Sequence, residues 1–81
     1  MSENVQFEAI NTKEIKFGRN NFLEIARKKA VTEEGENHFI SISRGFYTQD
    51  NQKRFRNSIA FPPEEAENVL NALKEVLETN E

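Results

Sequence analysis

The residues of this chain that could do chemistry are rings and cations set at alternating spacing. The stretch Phe39 to Ala60, FISISRGFYTQDNQKRFRNSIA, divides by parity. Ile40 and Ile42 point one way, while Phe39, Ser41, Ser43 and Tyr47 point the other, because strand side chains alternate with period two. The isoleucine face is core by composition. The other carries two aromatics spaced by hydroxyl residues, with Arg44 close by and Lys53, Arg54 and Arg56 following. Rings that stack on bases, beside cations that follow phosphates, are the chemistry of a single-stranded nucleic-acid platform. An earlier group has the same character. Lys16, Arg19, Arg27, Lys28 and Lys29 flank a turn, with Phe22 as a further exposed candidate for stacking. Asn20, Asn21, Ser41, Ser43 and Asn57 are candidates for hydrogen bonds to bases or sugar. Phe46 and Phe55 fall in parity with the isoleucines and with Ile59 and Phe61, which points them toward the core.

Other chemistries find little support. His38 is the single histidine and there is no cysteine, so thiolate metal sites and histidine pairs are excluded. His38 with Ser41 or Ser43 and Asp50 lacks the elbow and oxyanion glycines of a hydrolase. Gly18-Arg19-Asn20 lacks the remaining glycines and the Lys-Ser/Thr of a phosphate loop. The acids fall in one loop (Glu33, Glu34, Glu36) and along the C-terminal segment, which reads as solvated surface. The expectation is no enzyme, no metal and no cofactor.

Positioning that platform takes strands. Val5, Phe7 and Ala9 alternate with polar residues, and Ile15 and Phe17 alternate with Lys16, so residues 5–17 make one bent strand or a short hairpin. Gly18 to Asn21 is a turn by composition. Phe22 to Ala30 has helix-forming residues but no sustained 3.6 period, and strand signals lie on both sides, which favours a strand. Val31 to Asn37 reads as a polar hairpin loop. Gly45 suggests a bulge or a close backbone approach. Thr48 to Arg54 is a loop without an apolar member, and Phe55 to Phe61 alternates again. Pro62 and Pro63 stop the sheet, and an apolar stripe at 66, 69, 70, 73, 76 and 77 predicts an amphipathic helix ending near Glu78. The predicted class is α+β: a curved antiparallel sheet of four or five strands followed by one C-terminal helix (ββββα). A single helix covers one sheet face and leaves the other for water, a ligand or a second copy.

The 81 residues allow one domain with a marginal core, so a homodimer is expected from size alone. The first ten residues have no basic start and no apolar run, and no stretch approaches the roughly 20 apolar residues of a membrane span, so the expectation is a cytoplasmic protein without a membrane partner. The net charge of -3 hides a division. Ten of the eleven basic residues lie between Lys13 and Arg56, against six acids, whereas residues 57–81 hold six glutamates and one lysine. The middle is basic and the tail acidic.

The strings IKFGRNNFLEI (Ile15 to Ile25), FISIS with Arg44 after it, and SIAFPPEEAENVLNAL (Ser58 to Leu73) resemble the PC4-like single-stranded DNA-binding coactivators, and nearly as much one repeat of the PUR single-stranded DNA/RNA-binding proteins. The likeness spans roughly residues 13–78 of a single 1–81 domain. It implies a four-stranded curved sheet with one helix, dimers or paired repeats, and a setting in transcription or RNA handling, with the transcription machinery as an implied partner. By that likeness Gly18 and Arg19 lie near the nucleic-acid backbone. Phe22 and Lys28 meet the bound strand, Arg44 follows the isoleucine segment, Phe46 and Tyr47 occupy aromatic positions, and Lys53, Arg54 and Arg56 form the basic segment. The sequence departs from the PC4-like pattern in its QDNQKRF loop, which lacks glycine, and in Pro62-Pro63. The expected function is homodimeric binding of single-stranded DNA or RNA on the concave sheet face. The alternative is a small dimer whose exposed face docks a protein.

Overall fold

The computed structural model describes residues 5–79. Strands β1 (Gln6–Phe17), β2 (Asn21–Thr32), β3 (Gly35–Tyr47) and β4 (Lys53–Phe61) form one antiparallel sheet in chain order. A 3-10 turn (Pro63–Glu65) then leads into helix α1 (Ala66–Leu77). The sheet has four strands, not five: residues 6–17 are one strand, bent by an irregularity between Ala9 and Asn11. Hairpins alone connect the strands, as neighbouring antiparallel strands require.

The turns explain the strand limits. Gly18 at φ 61° and Asn20 at φ 70° take left-handed conformations that glycine and asparagine tolerate. The expected polar loop over 31–37 shrinks to the pair Glu33-Glu34, so β2 and β3 run longer than composition suggests. Gly35 supplies φ 138°, and the Thr32 hydroxyl accepts the Glu34 N–H at 3.2 Å while donating to the Gly35 carbonyl at 3.3 Å. The last loop is 48–52, where Thr48 and Gln52 close a turn through Asn51 at φ 68°.

Cross-strand register sorts the side chains onto two faces. Phe22 lies opposite Gly45 and Lys16, Glu24 opposite Ser43 and Glu14, Ala26 opposite Ser41 and Thr12, and Lys28 opposite Phe39 and Ala9. This is the ring face. On the aliphatic face Ile25 lies opposite Ile42 and Lys13, Leu23 opposite Arg44 and Ile15, and Ile59 and Phe61 opposite Ile42 and Ile40.

The helix does not cover either face of its own sheet. No residue of α1 is buried, and Val69, Leu70, Leu73, Val76 and Leu77 remain between 39% and 80% exposed. Among the described residues Phe22 and Ala26 are the buried hydrophobic ones. The surface of 6921 Å² exceeds by about 1,900 Å² what a compact monomer of this mass exposes. The radius of gyration is 15.7 Å, against about 12 Å for a compact chain of this length.

Candidate nucleic-acid interface

The ring face carries two aromatic groups separated by a floor of small residues. At one end Phe22 is fully buried, with Tyr47 tilted against it at 5.3 Å between centroids and Phe55 edge-on at 5.3 Å. At the other end Phe39 meets Phe7 edge-on at 6.3 Å. Eight residues separate Phe39 from Tyr47 on β3, so the groups lie about 26 Å apart along the strand. Between them run Ala26, Ser41 and Ser43, all buried, with the Ser43 hydroxyl hydrogen-bonded to that of Ser58 at 3.0 Å.

Gly45 makes the first group possible. A Cβ there would collide with the Arg54 carbonyl oxygen and come within 2.5 Å of Phe22 Cζ, so only glycine lets the Phe22 ring pack this closely against β3. The anticipated irregularity is also present. Gly45 pairs with Phe55 and Arg44 with Asn57, leaving Arg56 as the extra residue of a bulge in β4. That extra residue reverses parity, so Phe55 sits on the ring face against Phe22 and not with Ile59 and Phe61 as periodicity alone indicates.

Two carboxylates on this face hold the expected cation. Lys53 bonds Glu24 at 2.8 Å and Glu14 at 3.2 Å, and its ammonium lies 4.8 Å from the Phe22 ring centre. Glu14 also accepts the Tyr47 hydroxyl. That hydrogen bond, reinforced by Lys53, holds the Glu14 carboxyl below the ordinary value of 4.5. The same contact raises Tyr47 above its usual 10.0, and the bond to Glu24 raises Lys53 above 10.5. Sequence reasoning missed both acids, because their contacts with Lys53 span 39 and 29 residues.

The predicted site residues therefore divide. Phe39, Tyr47, Lys16, Lys28 and Lys53 share the ring face, with Lys16 Nζ 5.1 Å from the Tyr47 ring centre. Arg19 and Asn20 lie in the adjoining turn, where the Asn20 carbonyl accepts the Tyr47 N–H at 2.7 Å. A pocket of about 320 Å³ at this corner is lined by Lys16, Asn20, Tyr47 and Asn51 among others. Two expectations need correction. Phe22 is no open stacking surface, because Tyr47 and Phe55 cover it and Gly45 lets it sink; Ser41 is likewise buried in the floor, 4% exposed. Arg44, Arg54 and Arg56 do not flank the rings. Arg44 has the parity of Ile42, Arg54 lies opposite Phe46, and the bulge turns Arg56 over the Phe46 ring at 5.9 Å, all on the other side of the sheet.

Among the described residues no helix is long and apolar enough to cross a membrane, and no group of three or more His, Asp or Glu could hold a metal ion. Compared with known proteins, the chain matches no family model, no curated protein and no solved structure.

Proposed function

We propose that this chain is one subunit of a homodimer that binds single-stranded nucleic acid on its ring face. The observation that carries the reading is the contrast between the two faces. The ring face presents half-buried Phe39 and Tyr47 and exposed Phe55, with Lys16 and Lys28 outside any ion pair among the described residues. Bases stack on such rings at about 1 to 3 kcal/mol each. The aliphatic face and the helix stripe are both apolar and both unfilled, which is how an interface looks with its partner removed. Their charges are complementary as well. Five glutamates and one lysine lie between Glu64 and Glu78, whereas Lys13 and Arg27, outside any ion pair among the described residues, share the aliphatic face around Ile25 and Ile40. A second copy seats its acidic helix there, leaving the ring faces open.

A second reading rests on Glu14 and Glu24. Two carboxylates on the platform lower its attraction for phosphate, and a protein segment with its own cations would fit the same rings. Salt separates the two readings. Anisotropy of labelled single-stranded and duplex oligonucleotides at about 50 and 200 mM salt should show single-strand preference and a steep loss of affinity. Phe39→Ala, Tyr47→Ala and Lys28→Ala should each weaken it by roughly five- to tenfold, in line with lost stacking or one lost phosphate contact. Equal affinity of all three variants with the parent protein would refute the site. No binding to either strand form would leave the protein-docking reading.

A further inference from the structure

The side of the sheet opposite the rings holds a second aromatic–basic cluster that the proposed function does not use. Asn21, Arg44, Phe46, Arg56 and Asn57 line a pocket of about 440 Å³, within the size range of small-ligand sites. Register explains its assembly: Asn21 lies opposite Phe46 and Asn57 opposite Arg44. The fifth member arrives through the bulge. As the extra residue of β4, Arg56 is turned over the Phe46 ring, its guanidinium carbon 5.9 Å from the centroid. Bulges of this kind re-aim side chains beside functional sites.

We infer that this pocket binds a nucleoside phosphate, the base lying on Phe46 and the phosphate on Arg44 and Arg56. Three features select that chemistry. No acid lines the pocket, and among the described residues neither arginine has an ion-pair partner, whereas Lys29, His38 and Lys53 all do. Paired guanidinium forks match phosphate oxygens better than ammonium groups can. Phe46 is half-buried and keeps part of its ring in the pocket. A base held between ring and guanidinium needs about 3.5 Å on each side, so Arg56 has only to swing outward by about an ångström from its present 5.9 Å. Asn21 and Asn57 each offer an amide donor and acceptor for a base edge.

The nucleotide has two sources. It is either free, or part of a strand that leaves the ring face and rounds β4, whose outer edge pairs with no strand among the described residues. The site itself does not depend on the ring-face reading, and the experiment keeps the two apart. Amide spectra of the 15N-labelled full chain are recorded with AMP, with inorganic phosphate, and with oligonucleotides of about 5 and about 15 nucleotides. Shifts at Asn21, Phe46 and Asn57 with AMP beyond those with phosphate identify a free-nucleotide site. Shifts there with the longer oligonucleotide alone identify a continuing strand. Whichever ligand shifts them should bind the double variant Arg44→Gln, Arg56→Gln about tenfold more weakly. Phe46→Leu, which keeps most of the apolar volume, should also weaken it. No shift at these residues with any probe overturns the inference. So does sedimentation showing that the arginine variant loses the dimer, since the arginines then serve the partner's acidic helix.

Discussion

Removing one methyl-bearing side chain from the helix stripe tests the assembly most directly. Leu73 is 63% exposed, so about two-thirds of its side chain awaits burial. Full burial of a leucine contributes about 1.5 to 3 kcal/mol, and two-thirds of that, less what alanine retains, is about 0.5 to 1.5 kcal/mol. A two-fold dimer contains the contact twice, so Leu73→Ala should weaken dimerisation by about 1 to 3 kcal/mol, roughly 5- to 150-fold in Kd. Sedimentation equilibrium across a dilution series reads this directly. Because the isolated subunit buries so little apolar surface, the unfolding midpoint should also fall with dilution, more steeply for the variant. A monomeric parent protein with a dilution-independent midpoint would refute the reasoning. So would a variant whose dimer Kd is unchanged, since the stripe would then face solvent in the assembly.

Glu14→Gln removes the carboxylate that Tyr47 and Lys53 share. Affinity for single-stranded oligonucleotides should rise about threefold or more at low salt, with a salt slope steeper by about 0.7 if Lys53 gains a phosphate; an unchanged slope would show that Glu24 alone holds it. The same residue sets an acid limb of stability. Its folded pKa is lowered, so its contribution is present above the ordinary carboxylate value and lost as pH falls through the depressed one, and Glu36, lowered chiefly by Lys29, acts with the same sign. Urea midpoints followed from about pH 6 to pH 3 should fall for the parent protein and fall less for Glu14→Gln. Gly45→Ala should cost about 3 kcal/mol, because its Cβ meets backbone oxygen that cannot move aside without opening the β3–β4 ladder. A loss below about 0.5 kcal/mol in urea unfolding at fixed protein concentration would mean the strands are not so close.

Period two carried much of the fold. It placed Phe39, Ser41, Ser43 and Tyr47 together, as the register has them. It also held the answer for Arg44, whose even position aligns it with Ile40 and Ile42. Nearness in sequence to Tyr47 outweighed that signal and put Arg44 with the rings. Phe55 was not legible, because the residue that reverses β4 is inserted in the strand facing Gly45 and leaves no mark in the alternation itself. The tight turn at Glu33-Glu34 was hidden by acidic composition that reads as a longer loop. The depth of Phe22 depends on the missing Cβ of Gly45 across the ladder, a contact between residues far apart in the chain.

The position of Lys53 decides what the basic middle of the chain can do. Glu14 and Glu24 lie directly opposite one another on β1 and β2, an arrangement that repels when unneutralised. Lys53 reaches both from β4, crossing β3, while its ammonium rests over Phe22 and lies 5.4 Å from the Phe55 ring centre. Its charge is therefore committed to holding the four strands at the aromatic end, and breaking that arrangement to reach a phosphate leaves two facing carboxylates exposed to each other. The cations free to meet a ligand on this face are Lys16 and Lys28, at opposite ends of the floor. The arginines stand on the other side. A strand that satisfied both rings and guanidinium groups would have to turn around the β4 edge, and the bulge at Arg56 lies on that edge.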